Sequence, residues 1–215
     1  MVRFDGSALG VLLDSTVAPQ TVGFNDLTTD AAGRLYVGAL AFRVFGHEPP
    51  RPAHLYCLDL DGSVRPVADG ILLSNGLGFS PEGTRLYHSD SRAGLVRVYD
   101  VHADGSLGPW RPFAAVREGV PDGLAVAEDG SVWVALAGGG CVVVFAPDGT
   151  ERQRLPVPLP MVTSLCFGGD DLRDLYVVTG SRGGPHDACG TVYRTRVAVP
   201  GLPQAPARVA LPAAA

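Results

Sequence analysis

Apolar and polar residues alternate in short runs along this chain, and nowhere do apolar positions recur at the helical period of 3.6. Four runs match one another when aligned: NDLTTDAAGRLYVG from Asn25, NGLGFSPEGTRLYHSD from Asn75, DGLAVAEDGSVWVAL from Asp122 and TSLCFGGDDLRDLYVVTG from Thr163. Each opens on a polar residue, places Leu two positions later and passes through a turn rich in Asp, Glu or Gly. Each then enters a strand carrying Tyr36, Tyr87, Trp133 or Tyr176. The openings step by 50, 47 and 41 residues, and self-similarity at that spacing marks a propeller or solenoid array.

A second pair of strands follows each run. These segments begin at Leu55, Val96, Val142 and Val192, and Asp-Gly pairs at 61–62, 104–105 and 148–149 sit between their apolar stretches. Asp-Gly between strand-like runs is a strong hairpin signal, because both residues tolerate the backbone of a tight turn. Two hairpins per unit make four strands, which is one propeller blade. The expectation is an all-β chain with no helix longer than a turn or two, forming a single propeller domain over residues 1–215. Residues 3–15, RFDGSALGVLLDS, read as the second hairpin of a further blade, giving about four and a half blades. An array left open would expose strand edges, so the expectation is either a partner that completes it or an N-terminally shortened form of a longer protein.

Composition narrows the function classes. Hydrophobic residues at 46% against 18% charged exclude a disordered chain, and Gly 28 with Pro 18 favours many tight turns. A formal net charge of −5 without a local basic cluster argues against nucleic-acid partners. No apolar run approaches a membrane span, and Met1-Val2-Arg3-Phe4-Asp5 lacks the layout of a signal peptide, so a cytoplasmic protein is expected. Cys57, Cys141, Cys166 and Cys189 form no CxxC pair and are expected to be reduced, buried thiols.

In a propeller the first strand of each blade lines the central channel, so Asn25, Asn75, Asp122 and Thr163 would meet near one mouth. One carboxylate and two amide oxygens suit a divalent cation such as Ca, Mg, Mn or Zn. The competing reading is that Asn-Gly and Asp-Gly are turn formers, or that these side chains satisfy nearby backbone groups. Thr163 is read as mainly structural. His47 and His54 lie in a Pro-rich loop, His102 in a turn and His186 in a loop, while His88 is read as a packing residue. Gly138-Gly139-Gly140 lacks a following Lys and is read as a turn.

With these segments in view, the chain resembles the family of senescence marker protein 30, gluconolactonase and luciferin-regenerating enzyme. The resemblance rests on FND at 24–26, NGLGFSPEGTRLYHSDS at 75–91, PDGLAVAEDGSVWVAL at 121–136, TSLCFGGDDLRDLYVVT at 163–179 and the closing GTVYRTRVAVPGLP. It implies a six-bladed propeller with one divalent metal on its axis, and roughly 70 further residues holding the first blade and the inner half of the second. It also implies that Asn75 and Asp122 are metal ligands beside a first-blade Glu, and that Asn25 binds substrate or metal-bound water. Gly23 stands where many members carry an Arg that contacts sugar-type substrates, and neither Glu48 nor Glu118 has the context of the first-blade Glu.

The function this implies is metal-dependent hydrolysis of a small-molecule lactone. Asp122 would serve as ligand and general base, with Asn25 and Asn75 holding the ring oxygens. Two alternatives stand beside it: a non-catalytic propeller that binds a small molecule or a protein, and an inactive truncated family member.

Overall fold

The aromatic and β-branched residues that mark each predicted strand pair antiparallel with their neighbours in sequence. The computed structural model describes residues 1–4 and 9–210. Its strands fall into two compact units, one of residues 1–74 with the C-terminal stretch from Gln204, the other Asn75–Pro203.

The first unit contains the two-stranded pair β1 (Val2–Phe4) and β2 (Leu9–Val11). Its main sheet runs in sequence order through β3 (Gly23–Thr29), β4 (Leu35–Leu40), β5 (Ala53–Leu58) and β6 (Val64–Ile71). One core holds Leu35, Val37, Ala39, Tyr56 and Leu58 against Leu13, Ala18 and Val209; each buried Leu or Val there contributes on the order of 1.5–3 kcal/mol. Asp30 fixes the β3–β4 turn by accepting from the Gly33 and Arg34 amides, both at 2.9 Å. The C-terminal stretch lies along this turn and the β5–β6 turn, with Arg208 N donating to Gly33 O at 2.9 Å and Ala210 N to Leu60 O at 2.8 Å.

The second unit holds three sheets. The first is β7 (Ser74–Phe79), β8 (Arg85–Asp90), β9 (Leu95–Asp100) and β10 (Arg111–Ala115). The second is β11 (Val120–Val126), β12 (Val132–Ala137), β13 (Cys141–Phe145) and β14 (Glu151–Pro156). The third is β15 (Val162–Gly168), β16 (Asp174–Thr179) and β17 (Val192–Arg196). The middle sheet has a core on each face. Val132, Val134 and Leu136 pack with Tyr87, Val96 and Val98, while Trp133 and Ala135 pack with Leu165, Leu175 and Val177. That is why VWVALA of β12 is apolar at every position and buried throughout, where a one-faced strand would alternate. Consecutive antiparallel strands in stacked sheets make these the blades of a β-propeller. The Asp-Gly hairpins form as expected, with Gly62, Gly105 and Gly149 at φ of 87°, 80° and 87°.

Three expectations are corrected. The last sheet has three strands, not four: after Arg196 the chain crosses to β11, where Gly201 bridges Ala127 and Leu202 N donates to Val126 O at 3.1 Å. Pro200, Pro203 and Pro206 remove amide donors at three-residue intervals, so this stretch cannot complete a ladder. His54 belongs to β5, with its ring 5.8 Å from Tyr56. Of the four free thiols, Cys57 and Cys141 are buried, but Cys166 is exposed and Cys189 half-buried. Cys166 follows Leu165 on β15, and strand alternation turns it to the face away from the core.

Candidate metal and substrate site

Three of the polar residues singled out in the sequence stand at local irregularities of their strands. On β3, Phe24 faces Ala39 and Leu27 faces Val37, so Asn25 and Asp26 share one partner, Gly38. On β11, Pro121 faces Leu136 and Leu124 faces Val134, so Asp122 and Gly123 share Ala135. On β15 the register shifts between Val162 and Ser164, making Thr163 the extra residue. A bulge bends its strand and re-aims side chains, and here it recurs at the same place in three sheets.

In the second unit, Asn75 and Asp122 are tied through one hydroxyl. Asn75 Nδ2 donates to Ser91 Oγ at 2.7 Å, and Ser91 Oγ donates to the carbonyl of Pro121, the residue before Asp122. Ser91 follows the end of β8 and is buried; Asn75 and Asp122 are half-buried. The strands also meet through Gly76. A Cβ there would lie 2.2 Å from Leu124 N, 2.6 Å from Gly123 C and 2.8 Å from Asp122 O. Gly123 meets the third sheet in the same way, 2.8 Å from Ser164 Cα. Neither glycine has a positive φ. Asn75-Gly76 and Asp122-Gly123 therefore lie within strands, and their glycines admit a neighbouring backbone instead of making a turn.

Asn25 stands in the first unit, exposed on β3, where its Nδ2 donates to the carbonyl of Ser74 at 2.8 Å. Gly38, opposite this bulge, has no room for a side chain, since a Cβ would sit 1.7 Å from Ser74 Oγ. Asp26 is half-buried beside Asn25 and accepts from Leu27 N at 2.8 Å; burial pushes its carboxyl above the usual carboxylate range. Thr163 Oγ1 donates to Val178 O at 3.3 Å, a bond within its own sheet.

Ser91 and Asp26 were not singled out by sequence reasoning. Both lie inside recognised segments, but a serine after a strand and an aspartate after Asn25 carry no signal of their partners. Glu48 and Glu118 hold their own loops. Glu48 accepts from Arg43 N at 2.7 Å and pairs with Arg51 at 3.5 Å, while Glu118 reaches Arg154 on β14 at 3.4 Å. His88 is fully buried, as a packing residue should be.

The donors at hand test whether a divalent cation fits. An Asp122 carboxylate and an Asn75 amide oxygen are hard oxygen ligands of the type Ca or Mg takes, with water able to fill further positions. Among the described residues no group of three or more His, Cys, Asp or Glu is gathered that could hold a metal. Asn75 and Asp122 therefore match a divalent cation in ligand type. No described helix is long and apolar enough to cross a membrane.

Comparison with known proteins places these features in a family. Residues 1–181 match the SMP-30/Gluconolactonase/LRE-like region. The chain is 37% identical over 194 residues to pentonolactonase XacC of Haloferax volcanii, covering 84% of this chain and 65% of that protein. It superimposes on a luciferin-regenerating enzyme with a TM-score of 0.85 at 26% identity, over 97% of this chain and 74% of that one. A calcium-binding protein, regucalcin, from Agrobacterium tumefaciens aligns with a TM-score of 0.75 at 25% identity, over 86% and 65%. The chain thus spans just under two thirds of the length of the curated relatives it matches.

Proposed function

Because the chain belongs to the SMP-30/gluconolactonase/LRE-like family, we propose that it serves metal-dependent hydrolysis of a small lactone. The observation that supports this reading is the link through Ser91, which ties the Asn75 amide to the carbonyl of Pro121, the residue before Asp122, at the openings of neighbouring strands. Asp122 and Asn75 would hold one divalent cation. When bound, such an ion polarises an ester carbonyl and lowers the pKa of water. The Asp122 carboxylate accepts the proton of the attacking water, as general base. The Asn75 amide gives a hydrogen bond to an oxygen of the ring, and the Asn25 amide is the substrate-binding group of the first unit. Gly23 precedes Asn25 by two residues and has nothing within 4 Å of where a side chain would begin. No charged group is set against the substrate at that position, so the substrate class extends to lactones without a sugar's hydroxyl array.

The test is acid release in a pH-stat from glucono-lactone, pentono-lactones and simple γ- and δ-lactones, with the spontaneous rate subtracted. EDTA should abolish turnover, and Ca, Mg, Mn or Zn should restore it. Asp122→Ala should lower kcat by about 10²–10⁴-fold. Turnover that persists in EDTA, or in Asp122→Ala, would overturn the mechanism.

A further inference from the structure

A serine hydroxyl has one proton to give and lone pairs to accept with. The Pro121 carbonyl can only accept, so the bond between it and Ser91 consumes the Ser91 proton. The atom of Asn75 that faces Ser91 at 2.7 Å must then be a donor, its Nδ2. An amide is planar with its two polar atoms on opposite sides, so this turns Oδ1 away from Ser91. Oδ1 is the only atom of the group that a cation can use. Ser91 is 3% exposed, which keeps bulk water from substituting for the hydroxyl. On its other side, the same hydroxyl holds the peptide that leads into Asp122.

We propose that Ser91 is a positioning residue that fixes the amide orientation of Asn75 and the backbone leading into Asp122, and so sets both oxygen donors. This rests on the functional reading above for its metal arm only. A hydroxyl between two strands does for this pair what outer hydrogen bonds do for metal ligands generally, where their loss lowers affinity by about 10–100-fold.

The experiment uses Ser91→Ala, Ser91→Thr and, as a structural control, Ser80→Ala. Ser80 is a buried serine whose Oγ accepts from Arg85 N at 3.2 Å in the β7–β8 turn. Two readouts are taken on the full chain: the side-chain amide resonances of Asn75 without metal, identified by their loss in Asn75→Asp, and Mn²⁺ affinity by titration calorimetry. Ser91→Ala should shift the Asn75 resonances, speed their exchange with solvent and weaken Mn²⁺ by about 10–100-fold. Ser91→Thr, which keeps the hydroxyl, should recover both, and Ser80→Ala should melt lower with both intact. Asn75 resonances unmoved in Ser91→Ala would overturn the proposal, as would an affinity loss no larger than in Ser80→Ala. If the unmutated chain takes up no Mn²⁺, the metal reading falls, and the Asn75 resonances still decide for or against Ser91.

Discussion

Replacing Gly76 by alanine drives a methyl carbon into the backbone of the next strand. Its nearest neighbours would be Leu124 N at 2.2 Å, Gly123 C at 2.6 Å and Asp122 O at 2.8 Å, where ordinary contacts begin at 3.4 Å. Relieving the shortest of these requires β7 and β11 to part locally by about 1.2 Å (3.4 less 2.2). All three obstacles are backbone atoms, so no rotamer change removes them. Overpacking a close-fitted interior costs about 1–3 kcal/mol, and a backbone clash belongs at the upper end. For a chain of this size, about 3 kcal/mol lowers Tm by roughly 6–12 °C. Moving the Asp122 backbone by about 1 Å should also lower lactone turnover by on the order of 10²-fold. Thermal melts followed by circular dichroism check the first figure and the pH-stat assay the second. Gly23→Ala is the control, since nothing lies within 4 Å of its would-be Cβ; it should melt within about 2 °C of the unmutated chain, consistent with the small effect of an unobstructed substitution. A Gly76→Ala protein that also melts within that margin and keeps its turnover would refute the close-packing argument.

Two further outcomes follow from burial. His88 is fully enclosed in β8, and burial, reinforced by the Arg97 charge directly across β9, pushes its imidazole down to about 3. The unfolded chain takes up this proton near pH 6.5, so the neutral buried ring contributes fully above that pH, and stability is lost as pH falls toward 3. The slope of unfolding free energy against pH between 6 and 4 should therefore be shallower in His88→Gln, by up to about 1.4 kcal/mol per pH unit; equal slopes would count against it. Among the thiols, burial pushes Cys57 up to about 11 and leaves it enclosed, whereas Cys166 is exposed. A disulfide reagent at pH 8 should find its fast-reacting site at Cys166, removed by Cys166→Ser, while Cys57 should react only on unfolding; an unchanged fast phase in Cys166→Ser would contradict the placement of β15.

How much of this was legible in the chain depends on the range of the interaction concerned. The repeat, the all-β class and the hairpins at 61–62, 104–105 and 148–149 were readable because a turn is decided by two or three adjacent residues. The polar openings Asn25, Asn75 and Asp122 were readable because the array repeats them in register. The same local logic gave a wrong or incomplete account wherever a residue answers to a distant strand. Asn-Gly and Asp-Gly mark turns by their own chemistry, yet Gly76 and Gly123 lie in β7 and β11 to admit a neighbouring backbone, with no positive φ to betray it. The third sheet of the second unit stops at three strands because its closing segment is spent on β11, a choice that prolines permit but do not announce. Ser91 stands sixteen residues from Asn75 and thirty from Pro121 in the sequence. Only the stacking of sheets brings those three together and turns one hydroxyl proton into a constraint on two oxygen donors.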